Sequence, residues 1–385
     1  MIYSIGDSII SPLAMTSQGN YAAVIRGESR LKYREHAFGL PEPCFVSLLD
    51  TERLDSAFSA LSDFGAVGYT RMEKAAIVAA AQAIEEANIA ADREDVLFVI
   101  STTKGNVELL EDNPYEPERP YLWRSAQIIA EYFDNPNTPI VVSNACISGC
   151  AAQITAFNQL RYGGYRYVVV VGADVLSKFV ISGFQSFKAL SVERCMPFDG
   201  ERCGLNLGEA AAAIVYTMGD DERRVPDNAL VFCGGGIRND ANHISGPSRT
   251  GEGLLRAIHA ATDGYDLSQL AFINAHGTAT PYNDDMESVA VNRAGLQHVP
   301  LNSLKGYFGH TLGAAGVLEV IMSKQALADQ QVIKTLGTNK PGTANEVNVA
   351  LQTQNAPGKA FLKLISGFGG SNAAVLFEIH RPKQK

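Results

Sequence analysis

The sequence predicts an α/β fold with buried sheets, built from two halves of similar organisation. Runs with helical spacing alternate with short apolar runs typical of buried strands, and the same order of elements occurs twice along the chain. The chain has 385 residues, 46% of them hydrophobic, which excludes a disordered protein. Single cores rarely grow beyond about 250–300 residues, so we expect either two ordinary domains or one large layered body.

The first half supplies the first series of alternating elements. Ala, Ile and Val recur at helical spacing from Met72 to Asn88, and a short apolar run at Asp95–Ser101 fits a buried strand. The elements predicted after these are a helix at Leu122–Tyr132, a strand at Ile140–Ser143, a Gly/Ala-rich helix from about Cys146 to Tyr162 and a strand at Tyr167–Val171.

The second half repeats this order. The predicted elements are a strand at Leu270–Asn274, a helix near Asp284–Ala294, a strand at Val299–Ser303 and a small-residue helix from about Thr311 to Ala328. Alignment of the two small-residue helices places Cys146 at the start of one and His310 at the start of the other, so two half-sites would face one another. We place the boundary in the charged stretch Asp220–Asp227, which gives halves of residues 1–222 and 223–385.

Composition narrows the functional classes. A net charge of −9 gives no general electrostatic reason to bind nucleic acid, although it leaves room for a local basic patch. The N-terminus lacks the basic region and apolar core of a signal peptide, and no apolar run approaches about 20 residues, so we expect a cytoplasmic protein without a membrane partner. Six cysteines form no disulfide framework and are expected to be buried thiols. Cys146 and Cys150 lie one helical turn apart, but no other Cys/His pair nearby completes a metal site.

Two motifs carry candidate chemistry after predicted strands. Cys146 lies between a strand and a helix, where the positive end of the helix dipole favours a thiolate nucleophile. His276 directly follows the strand at 270–274, and Thr278 and Thr280 place two hydroxyls on the same face of its loop. Taken alone, an inert buried cysteine and a turn histidine are the competing interpretations.

Two further motifs lie near the C-terminus. His310 is followed by small residues, and Lys305 and Glu319 are charges within an otherwise apolar stretch. Because unpaired buried charges are costly, we expect these two to bond to each other, to His310 or to both. The segment Gly367-Phe-Gly-Gly-Ser-Asn372 can present inward N–H groups, as an oxyanion hole requires, and Phe368 could cover a channel. The alternative for the first motif is that Lys305 and Glu319 are exposed charges and His310 caps a helix. The alternative for the second is a plain hairpin turn with a buried Phe368.

Together these motifs resemble the elongating β-ketoacyl-[acyl-carrier-protein] synthases, which are condensing enzymes of the thiolase superfamily. The resemblance also covers Ala189-Leu-Ser191, Cys195-Met-Pro-Phe-Asp199 and Leu207-Gly-Glu-Ala210, in order along most of the chain. It implies a thiolase-like fold, five-layered αβαβα, formed from two duplicated halves and usually found in a dimer. The implied activity is decarboxylative Claisen condensation of malonyl-carrier protein with an enzyme-bound acyl chain.

The resemblance also implies roles. Cys146 would hold the acyl group as a thioester, and His276 and His310 would bind the malonyl thioester carbonyl. Lys305 and Glu319 would organise the His310 side, and the backbone N–H groups of Cys146 and Phe368 would stabilise the oxyanion. Thr278 and Thr280 would hold the pantetheine arm of acyl carrier protein. No metal or redox cofactor is implied.

Several points stay open at the level of sequence. Arg202-Cys-Gly-Leu205 stands where the family more often has Arg-Asp-Gly-Phe, and Gly6-Asp-Ser8 is unusual, so the acyl type and the pathway, fatty acid or polyene and polyketide, are undetermined. A degradative thiolase would carry a second cysteine in the C-terminal glycine loop, and a starter-type enzyme an asparagine at one histidine position; neither occurs here. The chain fits either a homodimer or the catalytic subunit of a heterodimer with a non-catalytic chain-length partner.

Overall fold

The computed structural model describes residues 1–61, 68–219, 225–243 and 246–381. The predicted boundary between residues 222 and 223 lies outside these ranges. None of the described helices has both the length and the apolar composition needed to cross a membrane.

The first half contains the predicted elements and several others. In chain order its elements are β1 (Ile2–Ile10), α1 (Ser17–Ile25), β2 (Lys32–Arg34), β3 (Cys44–Ser47), α2 (Thr51–Ser59), α3 (Arg71–Ala87), β4 (Val96–Ser101), α4 (Leu122–Tyr132), β5 (Ile140–Val142), α5 (Ser148–Tyr162), β6 (Tyr167–Asp174), α6 (Lys178–Ser186), β7 (Leu207–Gly208) and β8 (Ala210–Met218). Helix α3 begins at a reciprocal capping box between Thr70 and Glu73, and it ends at Asn88 in the left-handed conformation.

The second half follows the same plan. Its elements are β9 (Leu230–Asn239), α7 (Glu252–Ala261), β10 (Leu270–Asn274), α8 (Pro281–Arg293), β11 (Leu301–Asn302), α9 (Lys305–Phe308), α10 (Ala315–Ala328), β12 (Gln331–Val332), β13 (Gln354–Asn355), β14 (Ala360–Gly367) and β15 (Ser371–Ile379). The predicted helix at 311–328 starts later, because a 3₁₀ turn occupies residues 312–314.

The sheet topology confirms the duplication. Within the described residues, strands join in the order β11-β10-β14-β15-β9-β1-β8-β6-β4-β5, five from each half. In the first half, β4 pairs in parallel with β5 and β6, and β8 pairs antiparallel with β6 and β1. The second half repeats this pattern: β10 pairs in parallel with β11 and β14, and β15 pairs antiparallel with β14 and β9. The two sets of strands meet at the pairing of Tyr3 with Val231.

The helices complete five layers. Helix α3 packs against β1, β8 and β6, and α7 packs against β9, β15 and β14. Helices α5 and α10 contact each other and strands of both halves, so they form the central layer. The order is therefore αβαβα, as the resemblance implied. The central helices approach closely, since a Cβ on Gly316 would lie 2.4 Å from the backbone N of Cys150.

Strand β8 was not anticipated from its residues. Alanines at positions 210–213 favour a helix by intrinsic propensity, yet they form a strand between β1 and β6. All four are at most 1% exposed. Their small side chains let α3 pack on this part of the sheet, so tertiary packing overrides local preference.

Candidate active site

Cys146 lies in a tight turn between a strand and a helix. Strand β5 ends at Val142 and α5 begins at Ser148, so the cysteine precedes the helix by two residues. Ala145 adopts a positive φ of 45°. The Ser148 hydroxyl accepts from the backbone N–H of Asn144 at 2.8 Å and donates to the carbonyl of Ala145 at 2.6 Å. These bonds fix the turn that carries the cysteine.

The environment of Cys146 opposes ionisation of its thiol. Burial raises the pKa of Cys146 to about 11, although the positive charges of Lys305 and Lys104 act in the opposite direction. The buried carboxylate of Asp174 adds to the increase. Burial thus opposes the thiolate that the helix N-terminus is predicted to favour, because desolvation outweighs the favourable charges of the two lysines.

His276 is presented by a loop that wraps around the N-terminus of α8. Glu287 accepts from the backbone N–H groups of His276 and Gly277, both at 2.7 Å, and Asp284 accepts from that of Thr278 at 3.0 Å. Burial raises the pKa of Asp284 to about 6 and that of Glu287 to about 7. Sequence reasoning missed these two supports, although a signal was present, since acidic residues three positions apart share one face of a helix.

His310 is fixed by its backbone and by one ring nitrogen. Its N–H donates to the carbonyl of Asn206 at 2.7 Å, and the Leu312 N–H donates to His310 Nδ1 at 3.4 Å. An accepting Nδ1 places the proton of a neutral ring on Nε2. In the part of the chain that the structure describes, this Nε2 is buried without a hydrogen-bond partner. It is therefore a donor available to a ligand.

The structure brings Cys146, His276 and His310 together. The Cys146 sulfur and one ring nitrogen of each histidine lie within 4.8 Å of one another. The two imidazole centroids are 5.0 Å apart, with planes at 80°. Burial lowers the pKa of both histidines well below the usual value, and Lys305 and Lys363 lower it further. One thiol and two neutral imidazoles form a nucleophile facing two polar rings, and the same donor set could ligate zinc.

Lys305 and Glu319 form the expected pair, with an additional partner. Glu319 contacts Lys305 through one carboxylate oxygen and Lys363 through the other. All three residues are at most 2% exposed. Burial opposes ionisation of Glu319, but the two lysines outweigh it and lower its pKa. Lys363 was missed by sequence reasoning, although a lysine inside the apolar run Ala-Phe-Leu-Lys-Leu-Ile is the same signal that identified Lys305.

A cavity of about 540 Å³ opens onto these groups. Its lining includes Cys146, both histidines, Thr278 and Thr280. The hydroxyls of Thr278 and Thr280 are 2.8 Å apart, so the two threonines share one wall as predicted. Their hydroxyls are placed to bond a polar chain that enters this cavity.

The C-terminal glycine segment lies against Cys146. A Cβ on Gly367 would be 3.1 Å from the backbone N of Cys146, so a side chain at this position would crowd the cysteine. The Phe368 ring packs 5.8 Å from that of Phe184 and 5.2 Å from that of Phe187, measured between centroids, and all three rings line the cavity. The role of the Phe368 N–H in an oxyanion hole stays a prediction.

The cysteines depart from expectation at two positions. All six are free, but Cys203 and Cys233 are exposed rather than buried. Cys203 also lines the cavity, with its sulfur 3.0 Å from the Ser191 hydroxyl. Cys150 is a buried thiol, and burial raises its pKa to about 12.

Comparisons with known proteins agree with this architecture. Residues 4–220 match the family described as beta-ketoacyl synthase, N-terminal domain, and residues 230–339 match its C-terminal domain. The putative polyketide beta-ketoacyl synthase 1 of Streptomyces halstedii is 29% identical over 86% of this chain and 89% of its own length. The 3-oxoacyl-[acyl-carrier-protein] synthase 2 of Vibrio cholerae is 27% identical over 97% of both chains.

Solved structures share the fold. The complex of the ketosynthase ApeO with its chain length factor ApeC from Xenorhabdus doucetiae contains a chain with a TM-score of 0.85 and 23% identity, covering 98% of both chains. The ishigamide ketosynthase/chain length factor contains one with a TM-score of 0.86 and 23% identity, covering 99% of both. With family matches across both halves, this chain belongs to the beta-ketoacyl synthase family and is an acyltransferase of the condensing type.

Proposed function

We propose that this enzyme condenses a malonyl unit on acyl carrier protein with an acyl chain held as a thioester on Cys146. The single observation that carries the proposal is the placement of the Cys146 sulfur beside ring nitrogens of two uncharged histidines. Relatives named 3-oxoacyl-[acyl-carrier-protein] synthase 2 support the choice of carrier-bound substrates. Exposed Lys188 at the cavity lining offers a positive charge to an acidic carrier.

Acyl transfer comes first in the proposed sequence. The Cys146 sulfur attacks the carrier thioester, the bond from acyl carbon to carrier sulfur breaks, and the thiol proton leaves on the departing pantetheine thiol. The backbone N–H groups of Cys146 and Phe368 are proposed to stabilise the tetrahedral oxyanion. Thr278 and Thr280 are proposed to hold the pantetheine arm during both half-reactions.

Condensation then uses the two histidines. Loss of carbon dioxide from the malonyl thioester leaves an enolate, whose charge lies on the thioester oxygen. His310 Nε2–H and the His276 ring are proposed to donate to that oxygen, and neutral rings donate without protonating the enolate. The enolate carbon attacks the Cys146 thioester, the carbon–sulfur bond breaks, and the extended chain leaves on the carrier. The Cys146 thiolate released in this step takes one proton from solvent and becomes a thiol again. These steps balance without a metal or redox cofactor.

A specialised heterodimer is the second candidate setting. Solved relatives include ketosynthases in complex with a chain length factor. Strand β5 forms one edge of the sheet and is only partly buried, so it can pair with another chain. We infer a related synthase-like subunit at this edge, with acyl carrier protein as the second partner, in fatty acid or polyketide synthesis in the cytoplasm.

The two half-reactions test the proposal separately. We expect His310→Ala to lose carbon dioxide release from malonyl-carrier protein by at least about 10²-fold, because one donor to the enolate is removed. The same variant should still acylate Cys146. Cys146→Ala should lose acylation and condensation but retain decarboxylation. Labelled carbon dioxide and intact-protein mass are the measurements.

Folding controls accompany these variants. Circular dichroism and thermal unfolding should match the wild-type protein before rates are compared. Decarboxylation by His310→Ala at the wild-type rate, or acyl groups on Cys150 or Cys203 in place of Cys146, would contradict the assigned roles.

A further inference from the structure

Lys363 is a buried cation that the reaction described above does not use. It lies in β14 between Leu362 and Leu364, and all three residues are fully buried. Its ammonium donates to Asn274 Oδ1 at 2.7 Å, to the carbonyl of Ala275 at 3.2 Å and to the Glu319 carboxylate. Three oxygens of different chemical type therefore surround one ammonium.

Charge neutralisation of Glu319 does not explain this lysine. Lys305 already contacts the other oxygen of Glu319, so two ammonium groups share one carboxylate. These three residues thus carry a formal charge of +1, which is costly in a low-dielectric interior. Glu287, a further buried carboxylate that interacts with the Lys363 charge, has its pKa raised by burial to about 7. A cost of this kind at a fully buried position points to a functional use of the extra charge.

The position of Lys363 relates it directly to His276. Asn274 and Ala275, which accept from its ammonium, are the two residues that precede His276 in the chain. Asn274 is also the partner of Lys363 across β10 and β14, and its amide donates to Asn302 at 2.9 Å. The ammonium thus fixes the end of the strand that presents this histidine.

We propose that Lys363 is a positioning residue whose ammonium acts as a tethered cation behind the histidine pair. It holds the Asn274–Ala275 segment, and its charge favours the enolate that forms between His276 and His310. The effect of the charge on the enolate rests on the proposed function. The position of the ammonium rests on geometry alone. An amide oxygen, a carbonyl and a carboxylate are ligands that a monovalent cation would also accept, so the cage defines a cation position that the chain fills itself.

The charged surroundings of the histidines are defined. Lys305 of α9 and Lys363 of β14 lower the pKa of both rings, and each histidine faces the other and the Cys146 thiol. Glu319 of α10 lies between the two lysines, and Glu287 of α8 accepts from the His276 backbone. Removal of the Lys363 charge should therefore raise the pKa of both histidines.

Two substitutions separate charge from packing. Lys363→Ala opens the cage, whereas Lys363→Met fills it with an uncharged chain; both leave Glu319 paired with Lys305, so both are expected to fold. We expect decarboxylation of malonyl-carrier protein to fall about 10²-fold in each, as for loss of one stabilising group, and Cys146 acylation to change less than about threefold. Lys359→Met is the matched control, since Lys359 is an exposed lysine directly before the same strand.

Chemical rescue identifies the cation. Ammonium or potassium chloride should restore decarboxylation by Lys363→Ala at least about tenfold, because a small cation can enter the cage. Tetramethylammonium chloride at equal ionic strength should not restore the rate, because this cation is too large for the cage. Decarboxylation by Lys363→Met should not respond to any of the three salts. A rate within about threefold of wild type in Lys363→Ala, or an equal and unrescued loss of both half-reactions, would overturn the proposal.

A substrate-free measurement separates this inference from the proposed function. Titration of the histidine rings by nuclear magnetic resonance should show higher pKa values for His276 and His310 in Lys363→Met than in the wild-type protein. Unchanged titrations would overturn the role of the charge, whatever reaction the enzyme performs. A wild-type protein that releases no carbon dioxide would instead contradict the proposed function, while the titrations would still decide the role of Lys363.

Discussion

At the scale of single residues, Cys146 combines a nucleophile's position with an environment that opposes the thiolate. Its strand-to-helix turn brings the sulfur to the cavity, but the apolar packing around it raises the pKa to about 11. In the proposed mechanism, reactivity therefore depends on placement and on the proton leaving with the carrier thiol rather than on a permanent negative charge on the sulfur.

The alkylation rate of Cys146 should consequently depend steeply on pH. Below its pKa the thiolate fraction grows about tenfold per pH unit, so we expect iodoacetamide labelling to increase from pH 7 to 10 without levelling near about 8.5, the ordinary thiol value. Digestion and mass spectrometry assign the label, with Cys146→Ala as the blank. A plateau below pH 8 would show that the helix N-terminus dominates after all.

The Thr278 and Thr280 hydroxyls should affect substrate binding more than chemistry. Replacement of both by valine removes two hydrogen bonds worth about 1 kcal/mol each, so we expect the KM for carrier-bound substrates to rise about tenfold or more with kcat nearly unchanged. Steady-state kinetics provides the measurement. Thr262→Val is the control, since that hydroxyl donates to the Ile258 carbonyl of α7. Unaltered KM values would remove the threonines from the binding site.

At the scale of elements, the crossing of α5 and α10 holds the two half-sites together. Gly149 and Gly316 face each other, and a Cβ on Gly149 would lie 2.9 Å from the Gly316 Cα. The helices that follow Cys146 and His310 therefore approach at backbone contact. The Asp174 carboxylate adds a second link, since it accepts from Thr102 of the first half and from the Gly313 N–H of the second.

Gly316→Ala should separate these helices. Its Cβ would meet the backbone of Cys150, so we expect unfolding free energy to fall by about 1–3 kcal/mol and both half-reactions to weaken. Urea unfolding measures the change. Gly183→Ala is the control, because a Cβ there meets nothing within 4 Å inside α6 and helix propensity favours alanine. Equal stability of the two variants would show that the crossing tolerates a methyl group.

At the scale of the whole molecule, one end of the sheet is an open edge. Ile140–Val142 of β5 are partly exposed, and Tyr121 and Trp123 at the start of α4, a helix that contacts β5, are 58% and 54% exposed. A strand edge beside exposed aromatic rings is typical of a surface that pairs with another chain. It lies two residues before the turn that carries Cys146, so a partner there would adjoin the site.

A purified native complex should therefore contain a second synthase-sized chain. We expect Val141→Lys and Trp123→Glu to reduce the native mass to that of one chain, because a charge at the edge opposes strand pairing. Native mass spectrometry distinguishes a homodimer from a heterodimer. Tyr162→Glu, at the far end of α5 and 83% exposed, should leave the complex intact. A wild-type chain that is monomeric in the native extract would contradict the predicted pairing.

The sequence by itself determined the order of the strongly periodic elements and the identity of the residues that meet at the candidate site. Strands and helices with strong periodicity were predicted within a few residues, as for α4 at Leu122–Tyr132 and β10 at Leu270–Asn274. Hydrophobic periodicity depends only on residues that are close in the sequence, so it can be recognised without the tertiary structure. Cys146, His276 and His310 were identified because the short motifs that contain them together resemble those of the β-ketoacyl synthases.

Only the tertiary structure decided what depends on distant neighbours. The alanine run of β8 became a strand because β1 and β6 flank it, which local propensity cannot express. Burial, a property of the folded interior, raises the pKa of Cys146 against the opposing charges of Lys305 and Lys104. The second lysine on Glu319 came from a strand 44 positions farther along the chain. Desolvation and charge pairing act through space, so sequence pattern alone does not determine them.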